Sequence, residues 1–178
     1  ATSKLMEEEI LSARKNKDTL GGSITCVATG VPATIGSFVH WDKKLDAILA
    51  KQFMSVQSVK AVEIGKGVDI AKKFGTEVQD QYSLDGKKIA KISNNLGGFE
   101  GGMTNGEELH ITAYLKPIST TLTPISSVDL AEKIETETVY ERSDTCAVPR
   151  AIPIFEAIMA FEILNNLLIK TGDRKSVV

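Results

Sequence analysis

Leu109-His110-Ile111-Thr112-Ala113-Tyr114-Leu115-Lys116 alternates apolar and polar residues without a break. Leu109, Ile111, Ala113 and Leu115 face one way, and His110, Thr112, Tyr114 and Lys116 the other. A period of two with one wet face is the mark of a half-exposed strand in an antiparallel sheet. Two further strands are expected after it, near 126–131 and 135–141. The chain then changes period. Residues 152–169 carry Ile154, Ile158, Phe161, Leu164 and Leu168 on one helical stripe, and Phe155, Met159, Ile163 and Leu167 on a second. Two adjacent stripes predict a helix apolar over most of its circumference, hence largely buried. Glu156, Glu162, Asn165 and Asn166 argue against its spanning a membrane.

Working backwards from the strand, residues 76–106 read mostly as loop, with one short strand near Lys88 to Ile92. Residues 56–64 read as a strand and 66–74 as a short helix ended by Gly75. Leu45, Ile48, Leu49 and Phe53 share one side of a helix over 42–53. Val31-Pro32 and Gly36 mark a loop, and 23–31 is β-rich. Residues 3–16 suit a surface helix with Ser3 as N-cap, Glu7 to Glu9 early and Arg14, Lys15 and Lys17 at its end, an order that matches the helix dipole. Gly21 and Gly22 are expected to stop it. Strands, helices and hairpins do not alternate strictly, so the fold class is α+β, one domain over 1–178 with a mainly antiparallel sheet.

At 178 residues the chain can bury a real core. A formal net charge of −2 argues against a nucleic-acid or anionic-membrane partner, so an anionic ligand must be caught by local donors. Two cysteines, Cys26 and Cys146, make no disulfide framework or zinc pattern. Cys26 reads as a small core residue, and the chain suits a reducing, cytoplasmic setting. No secretory signal and no run of 18 apolar residues is visible. The first residue is Ala1 rather than Met, as in a chain cut from a longer one or one whose initiator Met has been removed.

Three constellations could carry chemistry. Gly97-Gly98-Phe99-Glu100-Gly101-Gly102-Met103-Thr104-Asn105-Gly106 fits neither the dinucleotide nor the Walker A pattern. It either lets backbone approach a flat ligand or is a flexible hairpin connection. Lys116-Pro117-Ile118-Ser119-Thr120 clusters an ammonium, hydroxyls and free amides, as an anion cradle would, although a polar strand-end turn is commoner. Arg142-Ser143-Asp144 precedes the apolar helix. Its spacing favours an Arg142–Asp144 ion pair over a free guanidinium fork beside a free base. Neither His40, beside Trp41, nor His110 has the spacing of a metal ligand.

Taken in order, these segments resemble chorismate synthase. Gly21-Gly22 with Ala28 to Pro32, Leu45 to Ala50, Met54-Ser55 with Val59 to Gly65, the glycine loop, Lys116 to Thr120 and Arg142 to Pro149 all match family blocks in register. Ala61 stands where the family usually has Gly, and Lys66 where it often has Asp.

The resemblance implies a β-α-β sandwich, with helices packed between outer antiparallel sheets, and a homotetramer. It implies the anti-1,4 elimination of phosphate from 5-enolpyruvylshikimate 3-phosphate to chorismate, with reduced FMN, an association with NADP and no net redox change. The flavin contacts it implies are Gln57, Ser58, Gly101, Lys116, Pro117, Ile118, Ser119, Thr120 and Arg142, with Arg142 open to the substrate phosphate too. Asp144 is the implied base, acting on the flavin N5 proton. Family members are about twice as long, so the chain is expected to be a C-terminal half, inactive alone, lacking the family's two histidines and most substrate-binding arginines. The competing reading is a non-catalytic flavin- or phosphate-binding module, or a structural fragment.

Overall fold

The alternating stretch becomes the middle strand of the main sheet. In the computed structural model, which describes residues 2–172, the elements run in this order: α1 (Thr2–Lys15), β1 (Gly22–Ala28), α2 (Leu45–Ser55), β2 (Val59–Ile64), α3 (Gly75–Val78), β3 (Tyr82–Asp85), β4 (Lys88–Lys91), β5 (Phe99–Glu100), β6 (Met103–Thr104), β7 (Leu109–Leu115), β8 (Ser126–Asp129), β9 (Ile134–Glu137) and α4 (Val148–Thr171). The sheet has the order β1-β7-β2, antiparallel throughout, with Ile24 opposite Ala113 and Ile64 opposite Ile111.

On one face of β7, Leu109, Ile111 and Ala113 are fully buried and Leu115 nearly so. On the other, Thr112 bonds Thr25 hydroxyl to hydroxyl at 2.8 Å, and the Tyr114 hydroxyl donates to Glu63. That bond, with one from the Val68 amide, holds the Glu63 carboxyl below the usual carboxylate range.

Helices α2 and α4 cover the inner face. Leu45, Leu49 and Phe53 recur along one side of α2 and are fully buried. The Phe53 ring meets Phe155 of α4, centroids 5.0 Å apart and tilted. Each such side chain contributes about 1.5–3 kcal/mol by leaving water. Cys26 lies in the same core, where burial above all, and then the charge of Glu156, push its thiol up.

The α4 expectation is half corrected. Phe155 and Met159 are buried and Ile163 and Leu167 pack against the core, as the second stripe predicts. Ile154, Phe161, Leu164 and Leu168 of the first stripe are instead 42–67% exposed. The reason is geometric: sheet and α2 meet only one side of α4. Glu162 and Asn166 occupy buried positions on that side, and Gln52 donates to Glu162 at 3.0 Å. By length and composition alone α4 could cross a membrane, with 22% of its most apolar stretch buried.

Local corrections are few. Ser3 lies inside α1, not at its cap. The helix ends before the glycines, with Lys17 at φ +59°. Gly75 opens α3 and does not close the 3-10 turn at Gly67–Lys72. Residues 76–106 hold two hairpins, β3–β4 and β5–β6, where one strand was expected. The segment between them is pinned by buried Asp80, which accepts from Ser93 at 2.6 Å and from the amides of Asn95 at 2.7 Å and Leu96 at 3.2 Å. The glycine loop is a tight hairpin. Gly101 and Gly102 form a two-residue turn, φ +62° and +89°, and positive φ at both positions matches strand twist. Buried Thr104 clamps its far side to the 32–35 backbone, donating to the Pro32 carbonyl at 2.6 Å and accepting from the Ile35 amide at 2.9 Å.

Candidate functional site

Where β7 ends, four segments are drawn together. Pro117 follows the strand and has no N–H to continue the ladder. The Lys116 amide donates to the Ser58 carbonyl at 2.9 Å. Ser58 sits at φ +72°, beside a bulge between Val59 and Ala61 of β2. Bulges bend a strand and re-aim its neighbours, and a non-glycine residue at positive φ is strained. Gly21 lies against the same exit: a Cβ there would fall 2.3 Å from the Leu115 carbonyl oxygen. Its presence reflects that close approach, not the end of α1.

Two hydroxyls tie the remaining segments in. Thr19 Oγ1 donates to the Ile118 carbonyl at 2.6 Å, and Ser143 Oγ to the Thr120 carbonyl at 3.0 Å. The Leu20 amide donates to the Thr145 carbonyl at 2.9 Å, beside a parallel bridge between Leu20 and Cys146. Gln57-Ser58, Lys116 to Thr120 and Arg142 to Asp144 are thereby gathered at one end of the sheet.

A cleft of about 600 Å³ opens there between the end of α1 and the start of α4. Thr120, Arg142 and Asp144 line it, whereas Gln57, Ser58 and Lys116 to Ser119 lie outside its lining. Arg14, Lys17, Arg142 and Arg150 bring four cations to its walls, against the carboxylates of Asp18 and Asp144. Asp144 pairs with Arg150, Oδ2 to Nη1 at 2.9 Å. The Arg142–Asp144 pair favoured by spacing is therefore not formed, because the first turn of α4 swings Arg150 back over the aspartate. Arg142 lines the cleft and makes no ion pair among the described residues. An electropositive, partly enclosed wall with an unpaired guanidinium is chemically suited to a phosphate.

The family model for chorismate synthase matches residues 1–168. The chain belongs to the chorismate synthase family. It is 45% identical over 175 residues to the chorismate synthase of Geobacter sulfurreducens, covering 94% of this chain and 44% of that protein. To that of Caldicellulosiruptor saccharolyticus it is 43% identical, covering 97% of this chain and 46% of that one. A crystal structure of chorismate synthase superposes with a TM-score of 0.76 at 33% identity, over 95% of this chain and 43% of that one. The chain thus spans less than half the length of these relatives. Mixed helix and antiparallel sheet, as expected, is the architecture it shares with the solved chorismate synthase.

Of the positions that chorismate synthase resemblance implies, Gly101 stands apart. Its hairpin leans on the start of α2, where the Leu45 amide donates to the Gly102 carbonyl at 2.8 Å. Ser58 lies past the other end of that 11-residue helix, about 16 Å of rise away. Gly101 is exposed, with open space where a side chain would be. Arg14, Lys17 and Arg150 were not among the expected site residues. In sequence Arg14 and Lys17 read as dipole partners of a helix end, and Arg150 falls just past the motif ending at Pro149. His40 is exposed, and His110 bonds Glu108 at 3.1 Å. Among the described residues no three His, Cys, Asp or Glu side chains converge.

Proposed function

We propose that this chain forms one wall of a chorismate synthase site, in an enzyme that eliminates phosphate from 5-enolpyruvylshikimate 3-phosphate to give chorismate. The observation that carries this reading is the meeting of Ser58, Lys116, Thr120, Arg142 and Asp144 at one end of the sheet, beside a cleft with surplus positive charge. That donor set fits FMN: Lys116, Arg142 and the hydroxyls of Ser58, Ser119 and Thr120 would hold its polar groups. The Lys116–Ser58 hydrogen bond fixes the backbone that presents them. Reduced FMN, when bound, supplies redox chemistry that the overall reaction returns unchanged. Arg142 binds and orients phosphate, of flavin or substrate. Asp144 moves a proton at its carboxylate, the work of a positioned general base. Gly101 joins this set on the strength of family membership alone, as do the homotetramer, the cytoplasmic setting and the association with NADP.

The test is made in the complete enzyme that this chain forms with the region its relatives add. Arg142→Ala is expected to weaken FMN or substrate binding about tenfold or more, since a charged hydrogen bond is worth ~1.5–3 kcal/mol. Asp144→Asn is expected to keep fold and flavin affinity while turnover falls ~100-fold or more. The isolated chain, with reduced FMN and substrate, is expected to yield no chorismate. Steady production by the isolated chain, or unchanged kinetics in both variants, would overturn the reading.

A further inference from the structure

The Asp144–Arg150 pair is placed where its strength cannot serve the fold. Its members are 45% and 78% exposed, and an ion pair so open to water adds little stability. The two partners differ in how firmly they are held. Arg150 belongs to the first turn of α4, and its amide donates to the Ala147 carbonyl at 3.1 Å. Its neighbour Ala151 is buried in the core. Asp144 lies in a stretch without regular structure, with Ser143 anchored to Thr120 beside it. A rigid helix end therefore holds the aspartate of a less regular segment. The ion pair runs from Nη1 to Oδ2, and Oδ1 accepts no hydrogen bond among the described residues.

The geometry points to Arg150 as the positioning residue for Asp144. It grips Oδ2 from the start of α4, aims Oδ1 into the cleft and makes that oxygen the one that takes the proton. Arg142, Arg14 and Lys17 remain free for the anionic ligand. This inference rests on the reading of Asp144 as a base.

It is tested in the complete enzyme with Arg150→Ala, Arg150→Lys, Asp144→Asn and the Ala/Asn double variant. Misplacing a reacting group by an ångström costs as much as ~100-fold. R150A is accordingly expected to lower kcat roughly 10- to 100-fold. The dissociation constant for oxidised FMN, titrated without substrate, and the melting midpoint should stay put. R150K should recover part of the loss, and R150A added to D144N should lower kcat no further. Flavin affinity falling as far as in Arg142→Ala would make Arg150 a ligand-binding residue and overturn the inference. A further loss of kcat in the D144N background would do the same. Normal kcat in D144N removes the reading of Asp144 and the inference with it. An impaired D144N beside an unimpaired R150A removes the inference alone.

Discussion

Gln52 of α2 donates its side-chain amide to Glu162 of α4 across 3.0 Å, inside the packed face of the two helices. Glu162 is buried there, and its backbone carbonyl accepts from the Asn166 side chain at 2.9 Å. Gln52→Ala would leave a buried carboxylate short of a donor, at a cost of about 1–3 kcal/mol. Replacing both residues by leucine removes donor and acceptor together and is expected to be near neutral or stabilising. Denaturant unfolding of the two variants checks the order; a double variant less stable than Gln52→Ala would reject it.

Asp80 gives the fold an acid limit. Burial works to raise its carboxyl, but hydrogen bonds from Ser93, Asn95 and Leu96, with Lys91 nearby, outweigh that and hold it below the usual range. A carboxyl depressed in the folded state contributes stability that is present above its unfolded value, about 3.9. That stability is lost as pH falls through the folded value. Unfolding free energy should therefore drop below about pH 4, and Asp80→Ala should flatten that limb. At neutral pH the same variant should lose about 1–3 kcal/mol, for want of an acceptor at three partly buried donors. Equal slopes in wild type and variant would count against this account.

Gly21→Ala probes the close approach at the strand exit. The added methyl must move the Leu115 carbonyl or the Pro117 backbone, 2.3 and 3.0 Å away. A loss of at least ~2 kcal/mol is expected, with weaker FMN binding because Lys116 moves too. Calorimetry and flavin titration report the two effects separately.

Ser58→Gly separates strain from binding. Positive φ costs a serine of order 1 kcal/mol, which glycine avoids. Stability should hold or rise slightly, while flavin affinity falls with the lost hydroxyl. Unchanged affinity would remove Ser58 from the flavin contacts.

How much of this was legible in sequence follows from what the residues meet. The Leu109–Leu115 alternation was readable because both faces of a central strand have fixed environments. Of the β3–β4 hairpin, β4 was read near Lys88 to Ile92, but β3 was not, because Tyr82 and Leu84 are both exposed and impose no period. In α4 the apolar stripes were visible, but sequence does not say which stripe the sheet takes. Arg142 and Asp144 were read as a pair because they are two apart. A residue six positions on, Arg150, reaches Asp144 only once the chain has turned into a helix.

The hydroxyl of Thr123 donates to the Lys17 carbonyl across a sequence separation of 106, and Leu20 meets Cys146 beside it. The cleft is thus a clasp between stretches far apart in sequence, and it exists only after a long loop has closed. Closing such a loop is entropically slow, which places the clasp late in folding. A ligand gripping both jaws would act as a latch on the ring. Amide exchange at Leu20 and Lys116 should slow when the latch is shut, and a cut in the intervening chain should be felt first at this end.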